Sequence, residues 1–346
     1  MQSFHKLPIF TRKSIVKRLM LAIPCLAMVL YAVAMPQHTG QDGSGHLHVV
    51  IINGGMNKLM NHERYWNDCA FLYRTLRQDY HIPKRHFTLL ISDGGHPGKD
   101  MLKEGGTGFA SSPDDLDGDG ERDVWDEATM ANVTHQLDSL SIRLTHEDHL
   151  FVFLMDHGGT NDNGQSYAYL WGGNKLNDTE LASLLNRFRV QTMCVVMGQC
   201  YSGGFIDNLE HDGRVIATAC QGSELSWSCL DKPYDEFVYH WISAVAGHDE
   251  MGNRIDADAN EDGLVSMEEA FSYAQMHDSR DETPQYRSVP ETLGGQWTFA
   301  GLIGSGIVEI ETDAPNPQVY TLTGIPVTNS SHGFYVLKGK KMFKKP

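Results

Sequence analysis

Short, continuous apolar runs recur along this chain, and each ends in a glycine-rich or polar turn. Residues 47–52, 87–91, 149–155, 192–197 and 213–219 are rich in β-branched and aromatic side chains and too short for helices. Amphipathic stretches separate them: about 64–80, stopped by His81-Ile82-Pro83, then about 126–143, 177–189 and 236–246. Strands without polar alternation are buried on both faces. Alternation with helices therefore predicts an α/β chain whose central sheet is mostly parallel and covered on both sides. On such a sheet, ligands and chemistry gather at the carboxyl ends of the strands.

Charge narrows the partners. The 346 residues carry 28 Lys plus Arg against 44 Asp plus Glu, a formal net charge of −16. Residues 1–34 hold five basic residues and no acids, and residues 338–345 hold five lysines. The body between them is thus far more acidic than the total implies. A nucleic-acid partner is excluded on this ground, because phosphates want a basic surface. An acidic body instead directs attention to bound cations.

The N-terminus reads as an address. Basic residues ending at Lys17-Arg18 precede an apolar run from Leu19 to Met35, and Ala32-Val33-Ala34 offers the small residues of a cleavage site. Residues 1–34 are expected to be a signal peptide and 35–46 a linker. Pro24 interrupts a run only marginally long enough to span, so no stable membrane span is expected after cleavage. The mature chain keeps Cys69, Cys194, Cys200, Cys220 and Cys229, an odd count that leaves at least one thiol free.

Two acidic loops have the spacing of a twelve-residue calcium loop. In 258–269, oxygen ligands fall at Asp258, Asn260, Asp262, Ser266 and Glu269, with the Leu264 carbonyl at position 7 and Gly263 at the turn. In 115–126 the ligands are Asp115, Asp117, Asp119, Asp123 and Asp126, but Arg122 replaces the usual apolar residue and the shorter Asp126 replaces the bidentate glutamate. Structural Ca²⁺ is the expected cofactor, with no organic cofactor.

Two strand ends carry the chemistry. Phe-Val-Phe-Leu-Met-Asp156-His157-Gly158-Gly159 runs from a strand into a glycine turn, and 43 positions after His157 the strand 192–197 runs into Gly198-Gln199-Cys200 and the glycine pair 203–204. A thiol beside an imidazole suits nucleophilic acyl transfer, and backbone N–H groups of the glycine turn can hold a developing oxyanion.

Hydrophobic-Asp-His-Gly followed by hydrophobic-x-x-Cys-x-Ser-Gly resembles the caspase-like cysteine peptidases, and within that clan the legumain (C13) family, which includes the catalytic subunit of the GPI transamidase. Supporting matches are Asn61 through Cys69, 217–229 and Pro284-Gln285-Tyr286. The resemblance implies a caspase-like αβα sandwich over 47–310, plus a small C-terminal β segment over 311–346. It implies that Cys200 is the nucleophile and His157 the proton donor to the leaving amine. Gly158 and Cys200 N–H would form the oxyanion hole, and Asn61 would orient the histidine. Ser226 and Trp227 would pair with the substrate backbone, and Asp235 would line the primary pocket. Glu63 stands where the family has its pocket arginine, and Gly198 where it has a pocket glutamate, so a basic P1 residue is expected.

Residues 319–324 and 333–345 read as short strands with a lysine-rich end. They resemble the C-terminal sorting domains of the Bacteroidetes type IX secretion system, which implies a secreted or cell-surface protein handled by secretion machinery. The first expectation is a secreted cysteine endopeptidase acting on protein or peptide substrates. A transpeptidase or transamidase of the same family is the alternative, and a non-catalytic calcium-binding surface module is the competitor from another class.

Overall fold

The structure, a computed structural model, describes residues 47–301 and the segments 319–321, 326–327, 333–337 and 340–344. The signal peptide and linker expected over 1–46 lie outside the described residues. β1 (Leu47–Asn53) and β2 (Phe87–Ile91) are followed by a short antiparallel pair, β3 (Met101–Leu102) and β4 (Phe109–Ala110). β5 (His149–Met155) precedes a three-stranded antiparallel sheet of β6 (Gly158–Thr160), β7 (Ser166–Tyr169) and β8 (Lys175–Asn177). With β9 (Thr192–Met197), β10 (Arg214–Thr218) and β11 (Gln285–Val289), a six-stranded central sheet forms in the order β11-β10-β9-β5-β1-β2. Every neighbouring pair is parallel except β10 with β11.

The helices are α1 (Glu63–Arg74), α2 (Met130–Arg143), α3 (Asp178–Leu185), the short α4 (Ile206–Leu209), α5 (Glu236–Ala246) and α6 (Met267–His277). Alternate residues of the inner strands feed two cores, which is why those strands read as unbroken apolar runs. Val49, Ile51, Phe151, Phe153 and Val196 pack with Leu72 of α1, Trp241 of α5 and Phe271 of α6. Val50, Ile52, Val152, Leu154 and Val195 pack with Leu137 of α2 and Leu181 of α3. The result is the expected caspase-like αβα sandwich.

Local chemistry explains where the helices depart from the sequence expectation. The stretch expected as one helix to residue 80 is α-helical to Arg74 and then widens into a π turn, Thr75–Asp79. α2 begins only at Met130, where the Thr129 hydroxyl accepts from the Asn132 N–H. α3 starts with a capping box between Asn177 and Glu180 and ends at Leu185, four residues early. β12 (Val319–Thr321), β13 (Pro326–Val327), β14 (Gly333–Leu337) and β15 (Lys340–Lys344) form the small C-terminal sheet, ordered β13-β12-β14-β15 and antiparallel throughout. Among the described residues no helix is long and apolar enough to cross a membrane.

Candidate active site

β5 and β9 are parallel neighbours with Leu154 opposite Met197, so the turns that follow them begin side by side. Gly158 presses against the second turn. A Cβ there would collide with the Cys200 carbonyl oxygen and come within 2.8 Å of the Gln199 side chain, so only glycine fits. Tyr169 N–H donates to the His157 carbonyl at 2.9 Å, which makes Gly158 and Ala168 a pair that exchanges no ladder hydrogen bond. The Gly158 N–H is therefore left outside the β6–β7 ladder, as an oxyanion donor must be.

Cys200 is partly exposed, and its Sγ accepts from the Ser226 N–H at 3.3 Å and lies 3.6 Å from the Ser226 hydroxyl. Tyr201 follows in the left-handed region (φ 58°), turning the chain sharply into the helical turn Ser202–Phe205. The other four described cysteines are also free thiols, buried, with Cys220 and Cys229 unbridged.

His157 is held from α1 and the turn before it. Its Nε2 donates to the Met60 carbonyl at 3.0 Å, and the Tyr65 hydroxyl stands 3.2 Å from each ring nitrogen. Burial lowers its pKa below the ordinary histidine value, opposed by the Met60 carbonyl and helped by the Arg64 charge. Among the described residues, no hydrogen bond joins His157 to Cys200. The preceding Asp156 is buried and accepts from the His157 N–H at 2.6 Å, and burial raises its pKa well above the carboxylate range.

Several residues singled out from sequence occupy other positions than expected. Asn61 does not reach the imidazole: its amide donates to the Ser92 hydroxyl at 2.8 Å and the Asp100 carbonyl at 3.1 Å. The backbone of its neighbour Met60 takes the orienting role. Glu63 is not a pocket residue, because its carboxylate accepts from the Glu104 N–H at 2.8 Å. The next residue, Arg64, pairs through Nε with Asp235 at 3.1 Å. An arginine therefore stands beside Asp235, one position after the expected one, and the expectation of a basic P1 residue, which rested on its absence, loses that ground. His62 packs edge-on against His157 with ring centroids 5.3 Å apart, and burial pushes its pKa down to about 4.

Asp235 is 4 % exposed, and its N–H donates to the fully buried Asp68 carboxylate. Burial, then the neighbouring Asp235, raises the Asp68 pKa well above the usual range. Asp235 Oδ2 has no hydrogen-bond donor, and burial raises the Asp235 pKa against the opposing pull of the Arg64 charge.

Ser226 and Trp227 do not present an open strand edge. The Trp227 N–H donates to Glu282 at 3.0 Å, its carbonyl accepts from the Glu236 N–H, and its indole donates to the Asp281 carbonyl. Burial, then the neighbouring Asp278, pushes the Glu282 pKa up to about 10, so it is protonated at neutral pH. Its folded pKa exceeds the usual 4.5, so stability is lost as pH rises from about 4.5 towards 10. Glu282→Gln keeps an acceptor for Trp227 and removes the titration. Its Tm should equal the wild type near pH 4 and exceed it by about 5 °C at pH 9. Equal Tm values across that range would contradict the protonated assignment.

In the second acidic loop, Asp115, Asp117 and Asp123 bring carboxylate oxygens within 4.8 Å of one another. Asp119 instead accepts from the Glu121 N–H, and Asp126 bridges to β2 while its side chain accepts from the Glu127 N–H. Asp119 and Asp126 lie outside that cluster, Asp126 where the backbone bridges to Leu90 at the sheet edge. Lys84 Nζ already lies 2.8 Å from Asp123. The 258–269 loop winds around its first acid, with Asp262 and Gly263 N–H donating to Asp258, and Gly263 at φ 88°. Glu269 reaches back to the Ala259 and Asn260 N–H groups and forms a capping box with Ser266.

Sequence reasoning missed Met60, Arg64, Tyr65 and Glu282, and gave Asp68, within the Asn61–Cys69 match, no role of its own. Arg64 and Asp68 stand four residues apart in α1, the helical spacing that marks a common face.

The Peptidase C13 family matches residues 130–297, a stretch that contains His157, Gly158, Cys200, Ser226, Trp227 and Asp235 but not Asn61 or Arg64. No curated protein matches the chain. The crystal structure of protein GSU0716 from Geobacter sulfurreducens is similar over 75 % of this chain and 99 % of that one, at 13 % identity and a TM-score of 0.45. The family match supports a cysteine peptidase or transamidase acting on protein or peptide substrates.

Proposed function

We propose that this chain is a C13-type cysteine endopeptidase that cleaves through a Cys200 thioester and prefers an uncharged carboxamide side chain at P1. The observation that most supports it is the seating of the His-Gly turn directly on the Cys200 carbonyl, with the Arg64–Asp235 pair behind His157. The Cys200 thiol gives its proton to His157 as the sulfur attacks the scissile carbonyl, and the oxyanion sits on the Gly158 and Cys200 N–H groups. His157 protonates the leaving amine. Water resolves the thioester; an amine doing so would make the same site a transamidase. The substrate strand takes the Trp227 N–H that Glu282 holds in the free chain.

The pocket carries Arg64 donors and an Asp235 acceptor of nearly cancelling charge. A carboxamide offers both partners, whereas a carboxylate meets Asp235 and a lysine meets Arg64. A fluorogenic peptide library digested by the chain from residue 35 is expected to show P1 Asn at least about tenfold above Asp, Lys and Arg at pH 7. A basic P1 preference would overturn the pocket reading, and silence across the library with an unreactive Cys200 would overturn the enzyme.

The reading includes Ca²⁺ in the 258–269 loop, held by Asp258, Asn260, Asp262, the Leu264 carbonyl, Ser266 and Glu269, where it would supply structural cross-linking at the start of α6. The 115–123 carboxylates offer a weaker second place, because Lys84 competes for Asp123. Saturating Ca²⁺ is expected to raise the Tm by about 5–10 °C over chelator, and Asp258→Asn to lose most of that rise. Identical melting with and without chelator would remove the ion from the account. Export through residues 1–34, with delivery outside the cell helped by the C-terminal sheet, is part of the same proposal.

A further inference from the structure

Tyr65 stands between the two halves of the site. It is 2 % exposed in the first turn of α1, and its hydroxyl lies 3.1 Å from Arg64 Nη2 and 3.2 Å from each nitrogen of His157. Equal distances put the oxygen over the imidazole between the two nitrogens, and the ring planes are nearly perpendicular, at 84°. The Met60 carbonyl engages Nε2, so Nδ1 is the nitrogen left to carry the catalytic proton.

A phenol has one hydrogen to give and lone pairs to offer, whereas a guanidinium only donates. Arg64 therefore claims the Tyr65 oxygen and turns the hydroxyl hydrogen towards His157, an orientation that disfavours the imidazolium. A P1 side chain that draws Arg64 to itself frees the oxygen. The hydroxyl can then rotate and present a lone pair to the ring, which favours the imidazolium at the moment the leaving amine needs its proton.

We propose that Tyr65 is a positioning residue that couples occupancy of the P1 pocket to the protonation of His157. The proposal rests on the function proposed above. The groups around His157 are the Met60 carbonyl and His62 from the turn before α1, Arg64 and Tyr65 from α1, and Asp156 from its own turn, with Asp235 behind Arg64.

The test is the titration of His157 by the NMR signal of its ring Cε1–H, in Cys200→Ala and in Cys200→Ala/Tyr65→Phe. Each is measured free and with saturating N-acetyl-Ala-Ala-Asn amide. The peptide is expected to raise the His157 pKa by about one unit when Tyr65 is present and by less than about 0.3 with Phe. Equal shifts in the two backgrounds, or no shift with Tyr65, overturn the coupling.

Arg64→Met in place of peptide reads the same coupling without any ligand. It removes a positive charge in both backgrounds, so the predicted signature is a larger rise with Tyr65 than with Phe, and an equal rise overturns the proposal. Failure of the peptidase reading shows separately, as absence of cleavage by the wild type. In the active enzyme, the pKa in kcat, which reports the bound state, should exceed that in kcat/KM, which reports the free state. Tyr65→Phe should bring the two together, a change that mere loss of packing would not produce.

Discussion

Cys200→Ala is expected to lower peptide turnover by about 10⁴-fold or more, because no other thiol can replace it as nucleophile. The four remaining described cysteines are buried, and burial raises the pKa of each, so none offers a thiolate near neutral pH. The substitution removes only a partly exposed sulfur that accepts from Ser226. The Tm should therefore stay within about 2 °C of wild type. Turnover within tenfold of wild type would remove Cys200 from the mechanism, and a large fall in Tm would leave the loss of activity ascribable to unfolding.

Gly158→Ala is expected to be nearly as severe, by a different route. The added methyl would collide with the Cys200 carbonyl oxygen and crowd Gln199, in a turn fixed on one side by β5 and on the other by the β6–β7 ladder. Backbone must move, and it moves the N–H proposed to hold the oxyanion and the peptide that carries Cys200 together. Loss of one oxyanion donor costs about 10²–10³ in kcat, and overpacking adds about 1–3 kcal/mol of instability. A fall in kcat with KM nearly unchanged is the signature, read against Tm measured on the same protein. Activity close to wild type would show that the turn has room it does not have here. Gly159 provides a graded comparison, because a methyl there meets the Tyr167 side chain, which can shift, rather than backbone.

The places where structure overruled the sequence reading share a cause. In a helix, consecutive side chains point about 100° apart, so whether residue 63 or 64 faces the pocket depends on how α1 is rotated. Burial of Tyr65, Asp68, Cys69 and Leu72 sets that rotation, and it aims Arg64 at Asp235 and Glu63 outward at Glu104. The same rotation takes the Asn61 amide to Ser92 and leaves Met60 to supply a carbonyl, a contact with no side-chain signature at all. Glu282 on Trp227 joins positions 55 residues apart, and nothing in the composition of residues 278–283 announced it. Asp126 followed the loop spacing but was captured by pairing with β2, because backbone at a sheet edge finds partners before a carboxylate finds an ion.

The sequence by itself determined what depends on neighbours along the chain. Two-sided burial wrote the inner strands as unbroken apolar runs, and the His and Cys motifs lay where a parallel sheet gathers its chemistry. Only the tertiary structure decided the electrostatic surroundings of the site: Arg64 paired with Asp235, two buried acids, Asp68 and Asp235, whose pKa values burial raises, and a His157 held by both Met60 and Tyr65. Those properties arise from burial and from contacts across sequence separations of up to 171 residues, and pKa and pocket charge are set by distance in space rather than by order in the chain.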